Sequence, residues 1–260
     1  MEAVQVYCES LSGNGYMDSA SKAESESGKL KEIVRGPYLL TGRSILTDEL
    51  ATKIVQMMRV APENAPKGTL AGRGYAGVKE LPSIGRVFVK QYAHGGLLRK
   101  ITGGKFLCGG LSRSRAEFDM LEQVREFGVN APRPLICVTK GSFFYETWLM
   151  MEEIENSRNL VEVSKQDIDL LHDSMRKVAE QVLLLIQHKV FHVDLHPGNV
   201  LISDNGDVHI VDFDKARLFS GSAQKLRELY LRRWRRAVIK HELTPVLTEL
   251  MSLSLRSYND

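Results

Sequence analysis

Two long segments of the chain carry apolar residues at helical spacing. The stripe between residues 112 and 127 predicts a helix that ends before Gly128; its members are Phe118, Leu121 and Val124. The segment from 164 to 189 has a wider stripe, which predicts a central, buried helix; its members are Ile168, Leu171, Met175, Val178, Val182, Leu185 and Ile186. Thr47 precedes two acidic residues, as is typical of a helix N-terminus, and predicts a further helix that runs to Arg59.

Strand patterns fill most of the remaining first half of the chain. Short runs of β-branched and aromatic residues predict strands at 38–41, 74–81, 86–92, 135–139 and 143–151. In the second half, two short strand patterns at 200–203 and 208–211 flank Asn205-Gly206, a dipeptide typical of hairpin turns. The rest of the second half is mainly helical. The sequence therefore predicts an α+β protein with a small sheet first and helices after it.

The composition restricts the class of protein. The 260 residues are 43% hydrophobic and 26% charged, which is ordinary for a folded globular chain. The longest strictly apolar run, 182–186, is far shorter than the ~20 residues that span a bilayer, and the first thirty residues lack a signal-peptide pattern. We therefore expect a cytoplasmic protein. Cys8, Cys108 and Cys137 are odd in number and widely spaced, which favours neither a disulfide framework nor a zinc site.

The N-terminal region differs in composition from the rest. Residues 8–28 hold six serines and three glycines but few large apolar side chains, so we expect a flexible arm over residues 1–36. Two lobes follow in this interpretation. The smaller lobe spans residues 37–151 and the larger lobe spans residues 152–260.

Positive charge is concentrated in two segments. Residues 94–115 have a net charge of +5 with no acidic residue, and residues 222–242 also have a net charge of +5. Such patches suit an anionic partner such as a phosphorylated sugar or an acidic lipid surface, although charge runs are often only solvated surface. Because few aromatic residues are interleaved with the basic ones, we expect no nucleic-acid partner.

Four polar residues flank the predicted hairpin and carry the candidate chemistry. Asp194 and Asn199 lie in HVDLHPGN just before it, and Asp212 lies in VDFD just after it. Phosphoryl transfer needs a carboxylate that accepts the proton of the attacking hydroxyl, here Asp194, and oxygen ligands for Mg²⁺, here Asn199 and Asp212. His192 would be a buried support for this loop.

Three upstream features fit the same chemistry. Gly72, Gly74 and Gly77 form a G-x-G-x-x-G loop, in which backbone N–H groups can approach phosphate oxygens. This loop leads into a strand, so it is not a dinucleotide-binding turn, and no lysine followed by serine or threonine marks a P-loop. Lys90 on the next strand could reach the α- and β-phosphates, and Glu117 on the helix at 112–127 could pair with it. The chain order of all these features predicts an ATP-binding kinase site.

Several stretches of the chain resemble the protein-kinase-like superfamily, and within it the lipopolysaccharide core kinases of the 3-deoxy-D-manno-octulosonic acid (Kdo) kinase type. They are spread from about residue 68 to 240 and comprise GRGYAG, KQYAHGGLLRKITGGKF, RAEFDMLEQVREFGVNAPRPL, HVDLHPGNVLI, VDFDKARLF and RRWRRAVIK. The resemblance implies a bilobal fold with a small antiparallel-sheet N-lobe and a mainly helical, shortened C-lobe. It also implies use of ATP and Mg²⁺ to phosphorylate a sugar hydroxyl of the lipopolysaccharide inner core, such as Kdo on lipid A. Such an enzyme would work at the cytoplasmic face of the bacterial inner membrane, in peripheral contact with it.

Departures from protein kinases also favour a small or lipid-linked acceptor. Val193 stands where protein kinases have the arginine that pairs with an activation-loop phosphate, and only 46 residues follow Asp214. Asp214 replaces the glycine of the DFG motif, and either helps to bind Mg²⁺ or only braces the loop. We expect the adenine at the backbone of Glu152 to Ile154.

The basic segment at 94–115 supplies a candidate acceptor site, with Arg99, Lys100 and Lys105 contacting an anionic group. The basic C-terminal helix also has an apolar stripe, which could dock on the larger lobe or on a membrane, with docking inside the protein favoured. Alternative functions are a heptose, small-molecule or atypical protein kinase of the same fold, and a non-catalytic nucleotide-binding scaffold.

Overall fold

A mixed α+β structure is seen in the computed structural model, which describes residues 29–59, 76–92, 106–107, 111–141 and 144–256. The first half of the chain forms one antiparallel sheet with the order β1-β2-β6-β7-β4-β3, and β5 pairs with β7. Its strands are β1 (Lys31–Arg35), β2 (Tyr38–Gly42), β3 (Ala76–Leu81), β4 (Gly85–Tyr92), β5 (Phe106–Leu107), β6 (Pro134–Lys140) and β7 (Phe144–Glu152).

Strand β1 corrects the predicted boundary of the N-terminal arm. Residues 31–35 pair with β2 through a turn at Gly36, whose φ of +60° suits a residue without a side chain. Of the five residues of β1 only Ile33 is buried, so the sequence offers no clear alternation to indicate a strand. The predicted arm therefore does not include these residues; residues 1–28 lie outside the described ranges.

Two helices cover opposite faces of this sheet. Helix α1 (Asp48–Arg59) begins as predicted at Thr47, whose Oγ1 accepts the N–H of Leu50 at 3.2 Å. It packs on the face that carries Ile136, Val138 and Met150. Helix α2 (Arg113–Glu126) lies on the face that carries Cys137, Leu149 and Met151. Because neighbouring residues of a strand point to opposite faces, one strand supplies both cores.

The second half is mainly helical and shares its core with the α2 face of the sheet. Its helices are α3 (Leu160–Gln166), α4 (Ile168–Gln187), α5 (Ala223–Lys240) and α6 (Val246–Arg256). Its short strands are β8 (Ser157–Asn159), β9 (Val190–Phe191), β10 (Val200–Ser203), β11 (Val208–Ile210) and β12 (Arg217–Leu218). The predicted single helix over 164–189 is wrong in its first turn. Asp167 has extended backbone angles there, and its side chain caps α4 by accepting the N–H of Leu170 at 2.9 Å.

The hairpin and the last long helix fold as the sequence predicts. Strands β10 and β11 pair antiparallel, and Gly206 in their turn has a φ of +75°. The stripe of α5 is buried within the protein and consists of Leu226, Tyr230, Trp234 and Val238. The indole N–H of Trp234 donates to the carbonyl of Leu247 at 2.9 Å, which joins α5 to the start of α6. Among the described residues, no helix combines the length and apolar character needed to cross a bilayer.

Candidate active site

Strand β4 turns its lysine toward α2. Val87 and Val89 lie in the core between the sheet and α1. Because neighbouring residues of a strand point to opposite faces, Lys90 and Tyr92 are on the other face of β4, and Tyr92 lies in the core on the α2 side. Lys90 Nζ donates to both carboxylate oxygens of Glu117, at 2.7 and 3.0 Å. The Tyr92 hydroxyl donates to the same carboxylate. Glu117 on α2 thus fixes the position of the Lys90 ammonium group.

Electrostatics keep the lysine charged in this buried place. Burial alone would lower the pKa of Lys90, but the negative charges of Glu117 and Asp212 outweigh that effect and raise it. Glu117 is only 1% exposed, and burial raises its pKa against the opposing attraction of Lys90. A cationic Lys90 is therefore maintained in the site at neutral pH.

Lys90 also bridges to the second half of the chain. Its Nζ donates to Asp212 Oδ1 at 2.6 Å. Asp212 follows β11 with a φ of +67°, a left-handed conformation that is uncommon for a residue with a side chain and that occurs often at functional sites. Burial would raise the pKa of Asp212, but the charge of Lys90 lowers it, so the carboxylate is ionised.

His192 is buried, and both its ring and its backbone N–H make hydrogen bonds to neighbouring segments. Its ring is buried, and burial lowers its pKa, so the neutral form prevails. In that form its Nε2–H donates to the carbonyl of Val211 at 3.0 Å, while its ring packs edge-on against Phe213. Its backbone N–H donates to the Tyr230 hydroxyl at 2.8 Å, which in turn donates to the carbonyl of Val190. The imidazole thereby fixes the segment that leads into Asp212.

Asp194 and Asn199 lie in a loop held by its own hydrogen bonds. The side-chain amide N–H of Asn199 donates to the backbone carbonyl of Asp194 at 3.0 Å, a bond that does not use the amide oxygen of Asn199. The N–H of Val211 donates to the carbonyl of Asn199 at 3.0 Å, so the loop is tied to the segment that joins β11 to Asp212. The carboxylate of Asp194 is 46% exposed and is accessible to a molecule from solvent.

Arg113 is a site residue that the sequence analysis missed. At the first turn of α2, its Nε donates to Asp214 Oδ1 at 3.0 Å, and a second guanidinium nitrogen donates to the other carboxylate oxygen. The same guanidinium lies over the rings of Tyr92 and Phe106. Asp214 is therefore engaged in bracing the loop against α2. The only feature of the sequence that hints at this pairing is the unusual aspartate after Phe213.

The other predicted residues are placed as follows. Gly77 lies in β3 opposite Val89 of β4, whereas Gly72, Gly74, Arg99, Lys100 and Lys105 are outside the described residues. At the end of β7, the N–H of Glu152 donates to the carbonyl of Arg133 at 2.9 Å. The carbonyl of Ile154 accepts the Ser157 hydroxyl at 2.9 Å. Two of the backbone groups expected to meet the adenine thus already have partners within the chain.

Oxygen donors of the kind that Mg²⁺ prefers lie on both sides of the hairpin. They are the ionised, 40%-exposed carboxylate of Asp212 and the amide oxygen of Asn199, which the bond to Asp194 does not use. This donor set fits Mg²⁺ and contains no soft ligand that would favour zinc.

A bilobal fold in which a strand lysine, a helix glutamate and a post-hairpin aspartate meet is that of the protein-kinase-like phosphotransferases. Residues 68–250 match the lipopolysaccharide kinase (Kdo/WaaP) family, and the chain belongs to that family. It is accordingly a phosphotransferase with an alcohol group as acceptor.

Curated relatives carry a more specific name, 3-deoxy-D-manno-octulosonic acid kinase. One from Vibrio vulnificus is 32% identical over 170 residues, which cover 64% of this chain and 71% of the relative. One from Vibrio parahaemolyticus is 30% identical over 200 residues, covering 73% and 83%. One from Pasteurella multocida is 33% identical over 172 residues, covering 62% and 71%.

Proposed function

We propose that this protein transfers the γ-phosphoryl group of ATP to a hydroxyl of Kdo attached to lipid A. The observation that carries the proposal is the double contact of Lys90 Nζ, with Glu117 from the first half of the chain and Asp212 from the second. A single cation held between both halves is suited to gather the phosphates of a nucleotide at their junction.

In the proposed reaction the sugar hydroxyl oxygen attacks the γ-phosphorus. Its proton passes to the carboxylate of Asp194, the new P–O bond forms, and the bond between the γ-phosphorus and the bridging oxygen breaks in line, which releases ADP. Lys90 holds the α- and β-phosphates, and Glu117 holds Lys90. His192 acts through the backbone of Val211 and is a positioning residue.

Asn199 and Asp212 would hold Mg²⁺. When bound, the ion neutralises charge on the phosphate oxygens. The chain itself keeps both ligands in place, because Asn199 is tied to Asp194 and the backbone carbonyl of Asn199 accepts from Val211.

The remaining parts of the nucleotide and acceptor sites are assigned on sequence grounds. Gly72, Gly74 and Gly77 would cover the phosphates, and the backbone from Glu152 to Ile154 would border the adenine in the cleft between lobes 37–151 and 152–260. Arg99, Lys100 and Lys105 would contact anionic groups of the acceptor or of the membrane surface. Together with the names of the relatives, these assignments favour work at the cytoplasmic face of the inner membrane.

An acceptor panel tests the proposal. The purified protein is incubated with labelled ATP, Mg²⁺ and either Kdo-lipid A, a heptose-containing core or a peptide mixture. We expect label in Kdo-lipid A at a rate at least tenfold above the other acceptors. Equal or greater labelling of the heptose core or peptides would contradict the acceptor assignment, and absence of label in every acceptor would contradict the kinase assignment.

A further inference from the structure

Two cations from distant parts of the chain flank the carboxylate of Asp194. Lys215, in the loop after Asp212, places its Nζ 3.9 Å from one carboxylate oxygen. Arg233, in the middle of α5, places a guanidinium nitrogen 3.9 Å from the other oxygen. The side chains of Lys215 and Arg233 are 46% and 39% exposed, so both can reach a molecule that approaches Asp194 from solvent.

A buried aromatic ring contacts both Arg233 and a third cation, Arg217. Arg217 in β12 pairs with Phe191 in β9, and its guanidinium carbon lies 5.8 Å from the centre of the Phe191 ring. The guanidinium carbon of Arg233 lies at the same distance from the same ring. Phe191 is itself fixed by edge-on contact with Tyr230 of α5. Two arginines are thus held near one rigid ring, three residues before Asp194 in the chain.

The ion pairs around Asp194 are looser than others in the same region. Separations of 3.9 Å exceed the 2.7–3.2 Å typical of an N–H···O hydrogen bond. By contrast, Arg113 donates two hydrogen bonds to Asp214, and Arg115 donates one to Asp119 at 2.8 Å. Lys215 and Arg233 are therefore attracted to Asp194 but donate no hydrogen bond to it.

The charges in this cluster do not balance. Lys215 and Arg233 carry two positive charges beside the carboxylate of Asp194, and Arg217 adds a third on the Phe191 ring that Arg233 also contacts. Lys215 also attracts Asp212, but the carboxylate of Asp212 is already paired with Lys90. An anion that binds between them would relieve repulsion among like charges and would take up donors that the carboxylate does not use. The excess lies where an acceptor hydroxyl must approach its base, rather than at the nucleotide side marked by Lys90.

We propose that Lys215, Arg217 and Arg233 form the binding site for an anionic group of the acceptor, namely the carboxylate of its sugar acid. This inference rests on the proposed function and deepens it, because it assigns the recognition of the acceptor to residues outside the basic segment at 94–115. A guanidinium presents paired donors that match a carboxylate, and two guanidiniums beside a lysine fix both the place and the orientation of a sugar acid.

A phosphate of the lipid part would present similar chemistry, so the test uses acceptors that separate the two sources. The methyl glycoside of Kdo has the sugar carboxylate but no lipid phosphate. The methyl ester of that glycoside has neither anionic group, and Kdo-lipid A has both. Arg217→Gln and Arg233→Gln remove one guanidinium each, Lys215→Gln removes the ammonium, and Arg233→Lys retains charge without the paired donors. Arg235→Gln is the matched control, because Arg235 is exposed on the same helix two residues from Arg233.

We expect each Gln variant to raise the KM for the glycoside about tenfold or more while the KM for ATP stays within about twofold. Arg233→Lys should recover part of the loss, Arg235→Gln should match the wild type, and the methyl ester should be used equally poorly by all variants. An unchanged KM for the glycoside would overturn the proposal. So would a loss that is confined to Kdo-lipid A, since that pattern identifies a lipid phosphate as the bound anion.

A binding measurement keeps this test separate from that of the proposed function. Saturation-transfer NMR reports binding of the Kdo glycoside whether or not phosphate is transferred. Weaker binding of the glycoside by Arg233→Gln than by wild type supports the anion site even if no acceptor is labelled, which would count against the kinase assignment alone. Equal binding by both proteins contradicts the anion site.

Discussion

At the residue scale, Asp194 differs in exposure from Lys90 and Glu117: its side chain is 46% exposed, against 20% and 1% for the other two. We expect Asp194→Asn to lower kcat about a thousandfold, because the amide cannot accept the proton of the sugar hydroxyl. ATP binding should be nearly unchanged, since the contacts of Lys90 with Glu117 and Asp212 do not involve Asp194. Steady-state kinetics together with calorimetric titration of a nonhydrolysable ATP analogue check both parts. A variant that retains at least a tenth of wild-type kcat would show that another group is the base.

Lys90 and Glu117 should act as one unit. We expect Lys90→Met to lower kcat/KM for ATP about a hundredfold, and Glu117→Gln to lower it less. Because Glu117 acts through Lys90, the double variant should be no worse than Lys90→Met alone. Tyr92→Phe is the matched control, since it removes a different hydrogen bond to the same carboxylate. Losses that simply multiply in the double variant would contradict the shared role.

Burial of neutral His192 should make stability depend on pH. Its pKa is lowered by burial from the ordinary 6.5, so below about pH 6.5 the unfolded chain binds a proton that the folded chain does not. The free energy of unfolding therefore falls as the pH drops from 6.5 toward the folded pKa, by up to about 1.4 kcal/mol per pH unit for this one group. His192→Gln can still donate to Val211 but cannot be protonated, so it should lose this part of the slope.

Urea unfolding of both proteins between pH 7.5 and 5 measures that difference. The half-buried His196 and His209, whose pKa values burial also lowers, are present in both proteins and cancel in the comparison. Identical slopes would mean that His192 is not buried in its neutral form.

At the scale of elements, the pair Arg113–Asp214 joins the start of α2 to the loop after β11. We expect Arg113→Gln and Asp214→Asn each to lower stability, with a coupling energy of about 1–2 kcal/mol in a double-mutant cycle measured by urea unfolding. If Asp214 only braces the loop, both variants should need the same Mg²⁺ concentration for half-maximal activity. A higher Mg²⁺ requirement in Asp214→Asn alone would instead make Asp214 a metal ligand.

Sequence predicts those elements whose signals are local. The turn at Asn205-Gly206 fixes the β10–β11 hairpin, and Thr47 fixes the start of α1, because the turn and cap chemistry lies within a few residues. The break at Asp167 escaped prediction because the buried residues on either side of it, Val163 and Leu171, keep the spacing of one continuous helix. The partnership of Arg113 with Asp214 could not be predicted either, since 101 residues separate them and nothing in either neighbourhood indicates the other.

At the scale of the whole molecule, one sheet separates two cores, and the candidate site lies on the side that both halves share. Helix α1 closes the core on the far face, whereas α2, the loop that carries Asp194 and α5 pack into one continuous core. The strand lysine, the helix glutamate and the post-hairpin aspartate are consequently brought together by packing that the hydrophobic pattern already indicates. The two sides of α5 have different roles. Its apolar stripe faces the shared core, whereas Arg233 on its other side lies beside Asp194.

We propose that this chain phosphorylates Kdo on lipid A and that Asp194 is the base. The most direct measurement is mass spectrometry of Kdo-lipid A after incubation with ATP and Mg²⁺, with fragmentation that separates the sugar acid from the lipid. We expect one added phosphoryl group on the Kdo fragment with the wild-type protein and none with Asp194→Asn. A phosphoryl group on the lipid fragment would contradict Kdo as the acceptor, and an equal yield from Asp194→Asn would contradict Asp194 as the base.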